Sequence, residues 1–134
     1  MPVVRRAISN SRFWLVLLII ATLTLLYLSL IKAPTIRIGP DTQNRVMHFL
    51  AYFVYSALAV MWRVTSRPGG TRWVIFLEAS PPAAALGVLL EWLQLYIPNR
   101  DSDPIDAFCN IAGALIGGFV IGFLARRNRR SNET

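Results

Sequence analysis

Apolar residues fall in four long blocks along the chain, each close to or above the roughly 17 to 25 residues that a helix needs to cross a bilayer. The first block, residues 13–31 (FWLVLLIIATLTLLYLSLI), carries no charge. The second, 46–62 (VMHFLAYFVYSALAVMW), holds one histidine and is short enough that its ends must lie near the headgroups. The third, 73–97 (WVIFLEASPPAAALGVLLEWLQLYI), has Pro81 and Pro82 in its interior. Proline removes a helical hydrogen-bond donor, so this block is expected to kink or split there. The fourth, 107–125 (AFCNIAGALIGGFVIGFLA), follows Pro104 and contains Gly113, Gly117, Gly118 and Gly122. The pattern predicts an all-α integral membrane protein: four transmembrane helices in a single domain, 1–134, closed by a basic tail, 126–134.

Composition agrees with the pattern. Hydrophobic residues make up 54% of the chain and charged residues 16%, where a soluble domain carries about 25% charged residues. Arg5, Arg6 and Arg12 resemble the basic start of a secretory signal. The apolar stretch behind them is too long for one and lacks a nearby small-x-small cleavage site, so it is expected to stay as the first span.

The net charge of +7 first suggests nucleic acid, but that needs a basic stripe on a soluble fold. Here the arginines lie between apolar blocks. Arg5, Arg6, Arg12, Arg63, Arg67, Arg72, Arg126, Arg127, Arg129 and Arg130 share one side of a four-span arrangement, ten of the fourteen basic residues. Lys32, Arg37, Arg45 and Arg100 occupy the other, together with Asp41, Asp101, Asp103 and Asp106. The positive-inside rule then predicts that both termini are cytoplasmic and that loops 32–45 and 98–106 face outward. The basic tail reads as a topology anchor at anionic membrane lipids.

Within that topology, polar residues gather in the outer leaflet: His48 at the start of the second span, Glu91 and Gln94 near the end of the third, Asp106 and Asn110 at the start of the fourth. His48 and Tyr52, Glu91 and Gln94, and Asp106 and Asn110 are each three or four apart, on one face of their helix. A carboxylate such as Glu91 inside the hydrocarbon costs about 2.5 to 3.5 kcal/mol on insertion scales, so it turns towards protein partners or water. Arg100 is a candidate counter-cation for it, or a partner of Asp106.

Simpler roles stand beside these. Asp106 stands where a helix N-cap or first-turn acid belongs, and His48 suits an interfacial residue. Glu78 can snorkel or meet Arg72, which leaves it outside the site. Gly113 and Gly117 form a GxxxG pair, and Gly118 and Gly122 another, suited to close packing within the chain or between copies of it. Trp62, Trp73, Trp92 and Tyr96 suit an interfacial belt. A single cysteine, Cys109, excludes an internal disulfide and a cysteine-based zinc site. One histidine with scattered carboxylates falls short of a metal-ligand set, and no cofactor is expected.

The polar residues also match a known pattern. E-W-L-Q at 91–94, P-N-R at 98–100 and D-A-F-C-N-I-A-G-A-L-I-G at 106–117 resemble the VanZ-like family of small bacterial membrane proteins, whose founding member is associated with teicoplanin resistance. The family's first block, D-K-x-x-H-F, departs here to N-R-V-M-H-F at 44–49, keeping His48 and Phe49 but with Asn44 at the acidic position and Arg45 at the lysine position. The resemblance covers residues 44–122. It implies a bacterial inner-membrane location and a site that joins three spans.

Three functions are open at this stage. The first is an outward-facing site that binds or processes a lipid-linked envelope component, with Arg45 and Arg100 for phosphate and His48, Glu91 and Asp106 as candidate acid-base groups, Gln94 and Asn110 completing it. The second is an accessory or scaffold protein for envelope assembly, its polar residues clamping helices, with self-association through the glycine-rich last span. The third is a small transporter or proton pathway. The absence of a nucleophilic triad and of a phosphate-cradling glycine loop weighs against an enzyme.

Overall fold

The computed structural model describes residues 10–31, 41–98 and 102–130, the side chains of 41, 42 and 126–130 excepted. The described residues form four helices: α1 (Ser11–Leu30), α2 (Asp41–Ser66), α3 (Arg72–Gln94) and α4 (Pro104–Arg130). Each is long and apolar enough to cross a membrane, and α1, at 20 residues, spans about 30 Å at 1.5 Å per residue. This is the architecture of a multi-pass membrane protein.

Cross-helix contacts fix the packing. Along α2 and α4 the partners advance together, from Asn44 with Asp106 to His48 with Asn110, so these two helices are parallel. Partners on α3 run the opposite way: Gly87 meets Asn110, and Ser80 meets Ser56 and Gly118. Helix α1 is likewise antiparallel to α2, since Leu18 packs on the cluster of Ala59, Val60, Val64, Ile75 and Ala79, and Leu25 on that of Tyr52, Ala83, Ala84 and Ala114. The result is an up-down-up-down bundle.

The glycines explain how close the parallel pair comes. A Cβ on Gly113 would collide with the carbonyl oxygen of Phe49, and one on Gly117 with that of Phe53. Backbone therefore lies against backbone, the contact that small-xxx-small spacing permits. Gly118 leaves room for Ser56 and Ser80, both fully buried and 3.3 Å apart. No part of a neighbouring side chain or backbone lies within 4 Å of a Cβ placed on Gly122. The close packing of Gly113 and Gly117 is thus made within the chain.

Helix α1 is peripheral and buries none of its residues fully. Its polar tie is Thr22, whose hydroxyl lies 2.8 Å from the Leu18 carbonyl and 3.0 Å from the Tyr55 hydroxyl. Thr22 has one hydroxyl proton and gives it to Leu18, so Tyr55 is the donor in the second bond.

Three sequence expectations change. The third span is not split: α3 runs unbroken through Pro81 and Pro82. Both prolines are exposed, so their rings face away from the bundle and displace no neighbouring helix, while Ala83 and Ala84 bury the opposite face. The helix also stops at Gln94, short of 97. Leu95, Tyr96 and Ile97 bond to carbonyls three residues back, a tighter turn that leads into Pro98, which has no N–H to continue the ladder. Finally, α2 starts at 41 and α4 at 104, each earlier than its apolar block. Polar residues in those first turns have protein partners, so loss of apolar character does not end the helix.

Candidate functional site

The site lies at the end of the bundle where α2 and α4 begin and α3 ends. Its α4 side starts at Asp103-Pro104. The Asp103 carboxylate accepts the Ile105 N–H at 2.9 Å, which makes Asp103 the N-cap of α4 with proline in the first helical position, where a missing N–H is harmless. Asp106, expected as an N-cap or first-turn acid, lies in the first turn, 5% exposed. There it keeps the favourable interaction of an acid with the positive end of the helix dipole.

Freed from capping, Asp106 faces α2. Its Oδ2 accepts the side-chain N–H of Asn44 at 2.7 Å and stands 3.6 Å from Nε2 of His48. Nδ1 of His48 is 3.0 Å from Oδ1 of Asn110, and the Asn110 amide donates onward to the Gly87 carbonyl on α3 at 3.3 Å. A single line of polar groups thus crosses from α2 through α4 to α3. Gly87 makes this possible, because a Cβ there would come within 2.7 Å of the Asn110 Cβ and 2.9 Å of the Tyr52 ring.

Glu91 enters by another route. It is 3% exposed, and its Oε1 accepts the backbone N–H of Asp103 at 3.0 Å, so the carboxylate on α3 holds the residue that caps α4. Gln94, one turn further along α3, is buried as well. Arg45 closes the rim with Nη2 3.4 Å from the Asp103 carboxylate, both side chains about one-third exposed. The site therefore grades from a half-open charged rim to a buried floor. Arg100 lies outside the described residues.

Of the residues expected at the site, His48, Glu91, Asp106, Asn110, Gln94 and Arg45 occupy this one end of the bundle. His48 lies against Asp106 and Asn110, and Glu91 accepts the Asp103 N–H; the partnership expected of Arg100 falls outside the described residues. Two contributors were not singled out from the sequence. Asp103 was visible as an Asp-Pro pair ahead of an apolar run, a start signal for a helix. Gly87 carried no such signal, since its role exists only through tertiary partners, and Asn44 stood out only as a departure from an acidic motif position.

Beyond Tyr52, the interior changes character. Past the Ser56–Ser80 pair it is filled by Ala59, Val60, Val64, Ile75 and Ala79, with Val60 wholly buried. At the far end Glu78 pairs with Arg63 and not with Arg72. The Arg72 guanidinium sits 4.0 Å above the Phe123 ring, a cation–π contact. Arg63 also donates to the Arg67 carbonyl at 2.6 Å, at the start of a turn in which Gly69 and Gly70 take positive φ values of 132° and 88°. Among the described residues no group of three or more His, Cys, Asp or Glu side chains is placed to hold a metal ion.

No family model matches the sequence, and neither a curated protein nor a solved structure matches the chain.

Proposed function

We propose that the chain is a VanZ-like protein of the bacterial inner membrane, both termini cytoplasmic, whose polar site faces outward and binds the polar headgroup of a lipid-linked envelope component. The observation that carries this reading is a pair of carboxylates, Glu91 and Asp106, buried at 3% and 5% exposure beneath a rim that stays open. A carboxylate in a span is costly, and a clamp of neutral amides would hold the helices without two of them.

The second reading, a non-catalytic accessory protein held together by this clamp, draws support from the same contacts, which tie α2, α3 and α4 to one another. A transporter draws less support, because the apolar cluster around Val60 separates the polar end from Arg63 and Glu78. Any link to glycopeptide susceptibility extends the first reading.

Native mass spectrometry separates the two. Wild-type protein extracted from membranes is expected to carry a lipid-linked species that Glu91→Gln protein, equally abundant and equally folded, does not. An accessory role predicts no such species and an unchanged protein partner on the variant.

A further inference from the structure

The end of the bundle opposite the polar site, where α2 stops and α3 starts, carries a surplus of positive charge. Among the described residues Arg12, Arg63, Arg67 and Arg72 meet one acid there, Glu78, which Arg63 engages. Arg63 is also committed to the turn itself. Its side chain is 12% exposed, it donates to the Arg67 carbonyl at 2.6 Å, and its Nη2 would stand 3.5 Å from a Cβ on Gly70. Arg67 and Arg72 bracket that turn, with no acidic partner for either among the described residues.

Arg72 is held in one pose. Its guanidinium lies 4.0 Å above the Phe123 ring, a stacking that occupies the flat face of the group and leaves free the N–H edge that pairs with phosphate oxygens two at a time. Next along α3, and one turn deeper on α4, the rings of Trp73, Phe76 and Phe119 lie together with centroids 6.2 to 6.4 Å apart. Trp73 and Phe119 are 64% and 52% exposed, so this aromatic surface faces outward from the bundle. A cation above an aromatic patch where a span begins fits a phospholipid in both its parts, the charged head and the upper acyl chain.

We propose that this flank of α3 and α4 seats one anionic phospholipid, its phosphate on the Arg72 edge, Arg67 adding charge, and its chain along Trp73 and Phe119. Charge complementarity selects the occupant. A zwitterionic lipid brings a cation of its own into the field of the arginines, and an anionic lipid does not. With Arg63 and Glu78 offsetting each other, Arg67 and Arg72 set that field at the seat. The seat lies at the far end from the polar site and is independent of the envelope ligand.

The test is lipid retention by the full-length protein in detergent, read by native mass spectrometry while phosphatidylglycerol or phosphatidylcholine of the same chains is titrated in. Wild type is expected to retain one phosphatidylglycerol in preference to phosphatidylcholine. Arg67→Gln and Arg72→Gln should each weaken that retention about fivefold, the effect of one basic residue near an anionic surface. Arg72→Lys keeps the charge but loses the planar edge, and should fall between wild type and Arg72→Gln. Equal retention of the two lipids overturns the proposal. So does an Arg72→Lys protein that holds phosphatidylglycerol as wild type does, since a diffuse basic surface would then suffice. If the Arg72 variants fail to fold, the wild-type preference and its weakening in Arg67→Gln decide the matter.

Discussion

Replacing Gly113 by alanine inserts one methyl group where α2 and α4 touch backbone to backbone. Its Cβ would collide with the Phe49 carbonyl oxygen and stand 3.0 Å from the carbonyl carbon and 3.1 Å from the Phe53 nitrogen. A side chain could rotate away, but these obstacles are main-chain atoms of a continuous helix, so the helices must separate. Overpacking costs about 1 to 3 kcal/mol, and a rigid obstacle places this case at the upper end. Alanine recovers about 0.8 to 1.0 kcal/mol of helix propensity, leaving a net loss of about 2 kcal/mol. Near 4 °C per kcal/mol for a chain of this size, the melting temperature in detergent should fall by about 8 °C. Gly122→Ala gains the same propensity with open space around its Cβ and should melt no lower than wild type. A Gly113→Ala protein that melts with wild type would refute the backbone contact between α2 and α4.

Further outcomes follow from the polar contacts. Asn44→Asp replaces the donor to Asp106 with a second acid, so the variant should melt lower than wild type in the same detergent, and one that melts with wild type would refute the Asn44–Asp106 contact. Glu78→Gln removes the charge facing Arg63, but Glu78 is 42% exposed. Its effect on melting should therefore stay under about 1 kcal/mol, and a larger drop would mean the pair is structurally central. Gly87→Ala should displace Asn110 and Tyr52 and lower the melting temperature by several degrees.

The number of helices and their approximate spans were legible because membrane crossing imposes a length and a hydropathy that need no tertiary knowledge. Helix ends were not, since Asn44, Arg45 and Asp106 are polar yet lie within helices, with partners on another segment. Pro81 and Pro82 show the same limit: proline predicts a lost hydrogen bond, but the helix continues through both positions. The site was legible as a neighbourhood. Alternating direction brings the start of α2, the end of α3 and the start of α4 together, and spacing puts His48, Glu91, Asp106 and Asn110 on interior faces. Who bonds whom was not legible, because Asp103 takes over the cap of α4 and so frees Asp106 for His48, a choice made only when α2 is packed alongside.

The most direct test of whether the buried charge is kept for use is the thermal unfolding of Glu91→Leu beside wild type in one detergent. A charge retained for binding is held at a cost in stability, so the variant is expected to melt at the wild-type temperature or above it. A variant that melts several degrees lower, or does not fold, would make Glu91 a helix-joining group first and contradict a site retained for binding.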